Sequence, residues 1–82
     1  MDFPIRTPSQ LSSLLKSVRV ERRLTQSVAA AKVGLRQKTI SLLESDIERS
    51  TVGSLFRLLS ALDLELVLRD KSAAPTKSET EW

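Results

Sequence analysis

The sequence predicts an all-α domain of four or five short helices, followed by one C-terminal β-strand. Three observations carry this. Apolar residues recur at helical spacing in four stretches between Leu11 and Leu62. A threonine or serine stands ahead of three of these stretches, where a helix N-cap belongs. From Leu64 to Arg69 the period changes to the alternation of a strand.

The first helix has a defined start. Thr7 caps it, Pro8 suits the first helical position, and Gln10 completes a Thr-x-x-Gln capping box. Leu11, Leu14, Leu15 and Val18 form its apolar stripe, with Val20 near the edge. It ends near Arg22 or Arg23, where cations favour the negative end of the helix dipole. The second helix begins after Thr25. Ala29, Ala30 and Val33 face inward, and Gly34 ends the helix by taking positive φ. Leu35 then plugs the turn. The third helix runs from about Gln37 to Ser45, with Ile40 and Leu43 on its buried side. Arg36 precedes it and is a poor N-cap. Ser45 to Ser50 is a polar loop. Ser50 or Thr51 caps a fourth helix, Val52 to Leu62. Leu55, Leu58, Leu59 and Leu62 point inward, with Phe56 beside them.

Leu64 to Arg69 lacks a second strand of comparable quality elsewhere in the chain. A lone strand exposes unpaired backbone groups. Pairing with the same strand of another copy across a two-fold axis satisfies them, so Leu64, Leu66, Val67 and Leu68 are the expected dimerisation residues. Continuation of the fourth helix is the competing reading, and Asp63 with the changed period argues against it. From Ala73 to Trp82 the chain is polar and lacks the apolar content to fold. Trp82, the sole tryptophan, has no core to fill there; a partner anchor is one reading and an accident the other.

The chain has 82 residues, enough for one small domain. Without cysteine or histidine it has no disulfide and none of the common zinc sites, so no metal or cofactor is expected. No catalytic constellation is present, and an enzyme is not expected. The N-terminus lacks a signal-peptide pattern and no apolar run reaches the roughly 20 residues of a membrane span. A cytoplasmic protein is the default expectation. The net charge is only +3, but it is unevenly placed. Between Lys16 and Lys38 stand Lys16, Arg19, Arg22, Arg23, Lys32, Arg36 and Lys38, against the single acid Glu21. Such a cationic face suits polyphosphate, although a solvated helix surface has the same composition.

The second and third helices are expected to form a helix-turn-helix, with an ordinary helical hairpin that has no nucleic-acid role as the competing reading. Counting from Gln26, a small residue belongs at the fifth place (Ala30), glycine at the ninth (Gly34) and apolar residues at the fifteenth and eighteenth (Ile40, Leu43). Ala30 permits the close helix crossing, Gly34 makes the turn, and Ile40 and Leu43 pin the recognition helix to the core. The residues left outward are the expected DNA contacts: Gln26, Arg36, Gln37, Lys38, Thr39 and Ser41. Gln26 sits where exposed amides meet a phosphate. Gln37 can pair bidentately with adenine, and Arg36 or Lys38 with guanine or with phosphate alone. Thr39 suits backbone phosphate, and Ser41 a base edge or phosphate. Arg19 and Glu44 are set apart as an ion pair holding the recognition helix.

Thr25-Gln26, Ala30, Gly34, Thr39-Ile40-Ser41 and Glu44 together resemble the lambda-repressor-like helix-turn-helix family, over about residues 9 to 62. Pro8-Ser9-Gln10-Leu11, Val18-Arg19, Leu24-Thr25-Gln26-Ser27, Gln37 and the ending Glu81-Trp82 extend the similarity to the HipB-like antitoxins of toxin–antitoxin systems, over nearly the whole chain. Four positions depart from that pattern: Ala29 stands in place of leucine, Lys38 in place of a smaller residue, Arg36 in place of lysine, and Ile47 lies in a loop that is usually polar, where it is an expected partner contact. The operator sequence therefore does not transfer. The resemblance implies a homodimer that binds palindromic operator DNA, represses its own operon and holds a HipA-like serine/threonine kinase toxin. Neutralisation would follow from restricted closure of the kinase or from tethering on DNA, and Trp82 would dock on the toxin. The expected organisation is an N-terminal arm and cap (1–8), the helix-turn-helix domain (9–62), a dimerisation strand (63–70) and a disordered tail (71–82). A stand-alone phage-type or metabolic repressor is the alternative.

Overall fold

The computed structural model describes residues 2–71. Four α-helices follow in order: α1 (Pro8–Glu21), α2 (Gln26–Lys32), α3 (Gln37–Ser45) and α4 (Val52–Ala61). A single 3-10 turn, Ile47–Arg49, joins α3 to α4. No helix among the described residues is long and apolar enough to cross a membrane.

The caps form where the sequence places them. The Thr7 hydroxyl accepts from the Gln10 amide while the Gln10 side chain accepts from the Thr7 amide, closing the capping box. Thr25 caps α2 through the Val28 amide, and Thr51 caps α4 through the Ser54 amide. Three helices then end alike. Arg23, Gly34 and Asp63 take φ of 59°, 70° and 60°. After each, a leucine amide folds back: Leu24 to the Arg19 carbonyl, Leu35 to Ala30 and Leu64 to Leu59. This is the Schellman arrangement, and each of those leucines packs against the core edge.

The core consists of Leu15, Val18, Ala29, Ala30, Ile40, Leu43, Leu58, Leu59, Ala61 and Leu62. α3 lies at its centre, packed against both α1 and α2. Ala29, where leucine was expected from the resemblance, is fully buried. Two apolar residues differ from expectation. Ile47 packs partly buried against its own core, because the 3-10 turn bends it back toward the bundle, so it is not a free partner contact. Phe56 is 50 % exposed: the buried stripe of α4 runs through Leu58, Leu59 and Leu62, and Phe56 stands outside it.

Residues 64–70 form neither helix nor strand. Asp63 at positive φ stops α4, which excludes the helix-continuation reading. A strand is defined by its ladder, and a single chain supplies no second strand for one. Leu66, Val67 and Leu68 are 51 %, 68 % and 90 % exposed, whereas Leu64 is partly spent on its own core. An exposed ion pair joins Arg69 to Asp2 at 3.2 Å. Trp82, the expected toxin contact, and the rest of the tail after residue 71 lie outside the described residues.

Candidate nucleic-acid interface

One face of α3 is anchored and its opposite edge is open. Ile40 and Leu43 are completely buried, and the Ser12 hydroxyl of α1 donates to the Leu43 carbonyl at 3.0 Å. Arg36, Gln37, Lys38 and Ser41 are exposed, and Thr39 is half-buried. Arg36 occupies the N-cap with extended backbone and no capping hydrogen bond from its side chain. The Gln37 and Lys38 amides precede the first intrahelical bonds, so the helix start presents free donors beside two cations.

Glu44 ties this helix to the rest of the fold. Its side chain is 3 % exposed and receives Arg19 Nε at 2.6 Å and Nη2 at 3.1 Å, a two-point fork. Arg19 Nη1 also donates to the Leu24 carbonyl at 2.8 Å, closing the end of α1. The expected ion pair is therefore present and positions α3 against α1.

Gln26 is oriented differently from a simple phosphate contact. Its Nε2 donates to Glu44 Oε1 at 3.2 Å, and its Oε1 accepts from Gln37 Nε2 at 3.5 Å. Gln26 and Gln37 are the first residues of α2 and α3, so the tight turn brings the two helix starts side by side. The sequence hinted at this only through two glutamines at matching helix positions. Gln26, Gln37 and Glu44 thus form one connected cluster, with Arg36, Lys38 and Ser41 around it.

The cationic face is narrower than the composition suggested. Arg19 is paired with the buried Glu44 carboxylate; Arg22 donates through Nη1 to the Leu62 carbonyl at the end of α4 but stays exposed and charged. Arg49, in the polar connection after α3, is a further exposed cation and lies 3.9 Å from Asp46.

A family model described as helix-turn-helix matches residues 15–68. Antitoxin HipB of Escherichia coli (strain K12) is 38 % identical, covering 95 % of this chain and 93 % of that protein. Antitoxin HipB of Escherichia coli O6:H1 (strain CFT073) is 37 % identical, covering 95 % of this chain and 87 % of that protein. Among solved structures, a HipA-HipB-O2-O3 complex contains a chain that superposes with a TM-score of 0.83 at 35 % identity, over 87 % of this chain and 100 % of that one. A HipB-O4 20mer complex gives the same TM-score, identity and coverage.

Proposed function

The chain belongs to the helix-turn-helix family and, within it, to the HipB antitoxins; from that membership we propose that it is an antitoxin and DNA-binding autorepressor. It binds palindromic operator DNA as a homodimer and neutralises a HipA-like serine/threonine kinase toxin, acting in the cytoplasm on the nucleoid. Its work is binding, with no catalytic step.

The observation that carries this reading is the α3 edge: Arg36, Gln37, Lys38 and Ser41 face solvent while Ile40, Leu43 and Glu44 hold the helix rigid from behind. In a major groove, Gln37 meets an adenine edge and Arg36 and Lys38 meet guanine or phosphate. Thr39 and Ser41 lie alongside the backbone, and Gln26 stands behind Gln37. Two recognition helices about one DNA turn apart then read the two half-sites.

The dimer is supported by the exposed Leu66, Val67 and Leu68. Beside them, an open groove of about 440 Å³ is lined by Phe56, Leu59, Leu64 and Leu66 among others. Paired strands from two copies satisfy the backbone and cover this apolar surface in one step. Trp82 remains the proposed toxin anchor.

Gel shift on DNA from upstream of its own operon tests the reading. The wild-type chain should shift the duplex with strong salt dependence, and the double variant Gln37→Ala, Lys38→Ala should not at the same concentration. Equal shifts by both proteins would remove α3 as the reading element. Pull-down from native cells should recover a kinase-like partner, and deletion of Trp82 should weaken that capture while sparing the gel shift. Recovery of no kinase would leave a repressor without a toxin.

A further inference from the structure

The cluster behind the α3 edge has a polarity set by one residue. Glu44 Oε1 and Oε2 both accept from Arg19, and Oε1 also takes Gln26 Nε2 at 3.2 Å. An ionised carboxylate accepts and never donates, so the Gln26 amide must turn its NH₂ toward Glu44. Its carbonyl oxygen then faces Gln37, which must answer with its own NH₂, the contact seen at 3.5 Å. Gln37 keeps one N–H and its carbonyl for the solvent side, in a defined order. Adenine presents N7 as acceptor and N6 as donor in the major groove, and only one order of donor and acceptor on the amide matches it.

We infer that Glu44 is a positioning residue for sequence readout: through Gln26 it fixes the amide order of Gln37 and so selects adenine at the base Gln37 meets. This rests on the DNA-reading role proposed above. Glu44 touches no DNA itself. Replacing it by glutamine turns the chain of donors around: the new carbonyl is drawn to Arg19, its NH₂ faces Gln26, and both glutamine amides reverse. Gln37 then meets adenine donor to donor.

Selection from a random-sequence duplex pool by the full chain, followed by sequencing of bound DNA, tests this. Gln37→Ala identifies the position that depends on Gln37. At that position the wild-type chain prefers adenine, and Glu44→Gln lowers the preference about tenfold or more while preferences elsewhere in the site persist. Gln26→Leu leaves the Arg19–Glu44 pair intact and should lose the same preference, which covers the case in which Glu44→Gln fails to fold. Arg19→Lys is the opposite control: it weakens the pair, lowers the melting temperature read by circular dichroism, and retains the preference. A folded Glu44→Gln or Gln26→Leu protein that keeps full adenine preference overturns the relay and leaves DNA binding standing. A wild-type chain that enriches no sequence overturns the DNA-binding reading, and the relay with it.

Discussion

Three of the four helices end on a residue at positive φ, and only one of the three is glycine. Left-handed backbone costs a residue with a Cβ about 1 kcal/mol or more, so the three sites should respond oppositely to substitution. A Cβ on Gly34 would meet nothing closer than 3.9 Å, leaving backbone strain as the only penalty. Gly34→Ala should therefore cost about 1 kcal/mol of unfolding free energy, and Asp63→Gly should add about 0.5–1 kcal/mol, both read from urea midpoints. The Arg19–Glu44 fork belongs to the same scale. Lysine keeps the charge but loses the two-point geometry and the Leu24 carbonyl bond. Arg19→Lys should lower stability by about 1.5–3 kcal/mol in the same titration; no change would show that the fork adds nothing to the fold. The pairing of Arg19 with Glu44 was legible in the sequence because both positions belong to a recognised motif. Gln26 bonding to Glu44 was not, because side-chain direction at a helix start depends on what packs behind it.

Among the elements, α3 sacrifices stability at its start. Thr7, Thr25 and Thr51 cap the other helices, but Arg36 caps α3 without a side-chain bond. Serine there would satisfy a free amide and should raise stability by about 0.5–1 kcal/mol. The same Arg36→Ser change removes a cation from the proposed DNA face, so thermal melting and operator affinity should move in opposite directions. Movement of both in the same direction would deny Arg36 a role toward DNA. Helix positions were legible because caps and periodicity are local signals. The exposure of Phe56 and the inward turn of Ile47 were not, since helical period shows which residues share a face and not how wide a neighbour covers it.

For the whole molecule, size is the controlling fact. A chain of 82 residues without disulfide or histidine has little core to spare, and it leaves Phe56, Leu66, Val67 and Leu68 exposed. A second copy covering these residues would reinforce the fold as it aligns two recognition helices. Leu66→Asp puts a charge in that surface and should convert a dimer to a monomer by sedimentation, with operator affinity falling as the paired half-sites are lost; an unaltered dimer would refute strand pairing. On DNA, each dimer loses two cations in Lys38→Ala. If Lys38 meets phosphate, the slope of log affinity against log salt should become shallower by about 2, with all sequences weakened alike. A change confined to one base position would instead make Lys38 a base reader.

Much of the architecture was determined by the sequence alone. Caps, apolar period and the glycine-centred turn act within a few residues of each other, so the four helices and the outward α3 residues follow without knowledge of the rest. Tertiary structure decided what those residues are free to do. It paired Arg19 with a buried carboxylate, tied Arg22 to the Leu62 carbonyl, turned Ile47 inward, left Phe56 outside, and joined Gln26 to both Glu44 and Gln37. Such outcomes depend on residues 11 to 40 positions apart meeting in the folded chain. No local pattern encodes the distance at which a donor finds its acceptor.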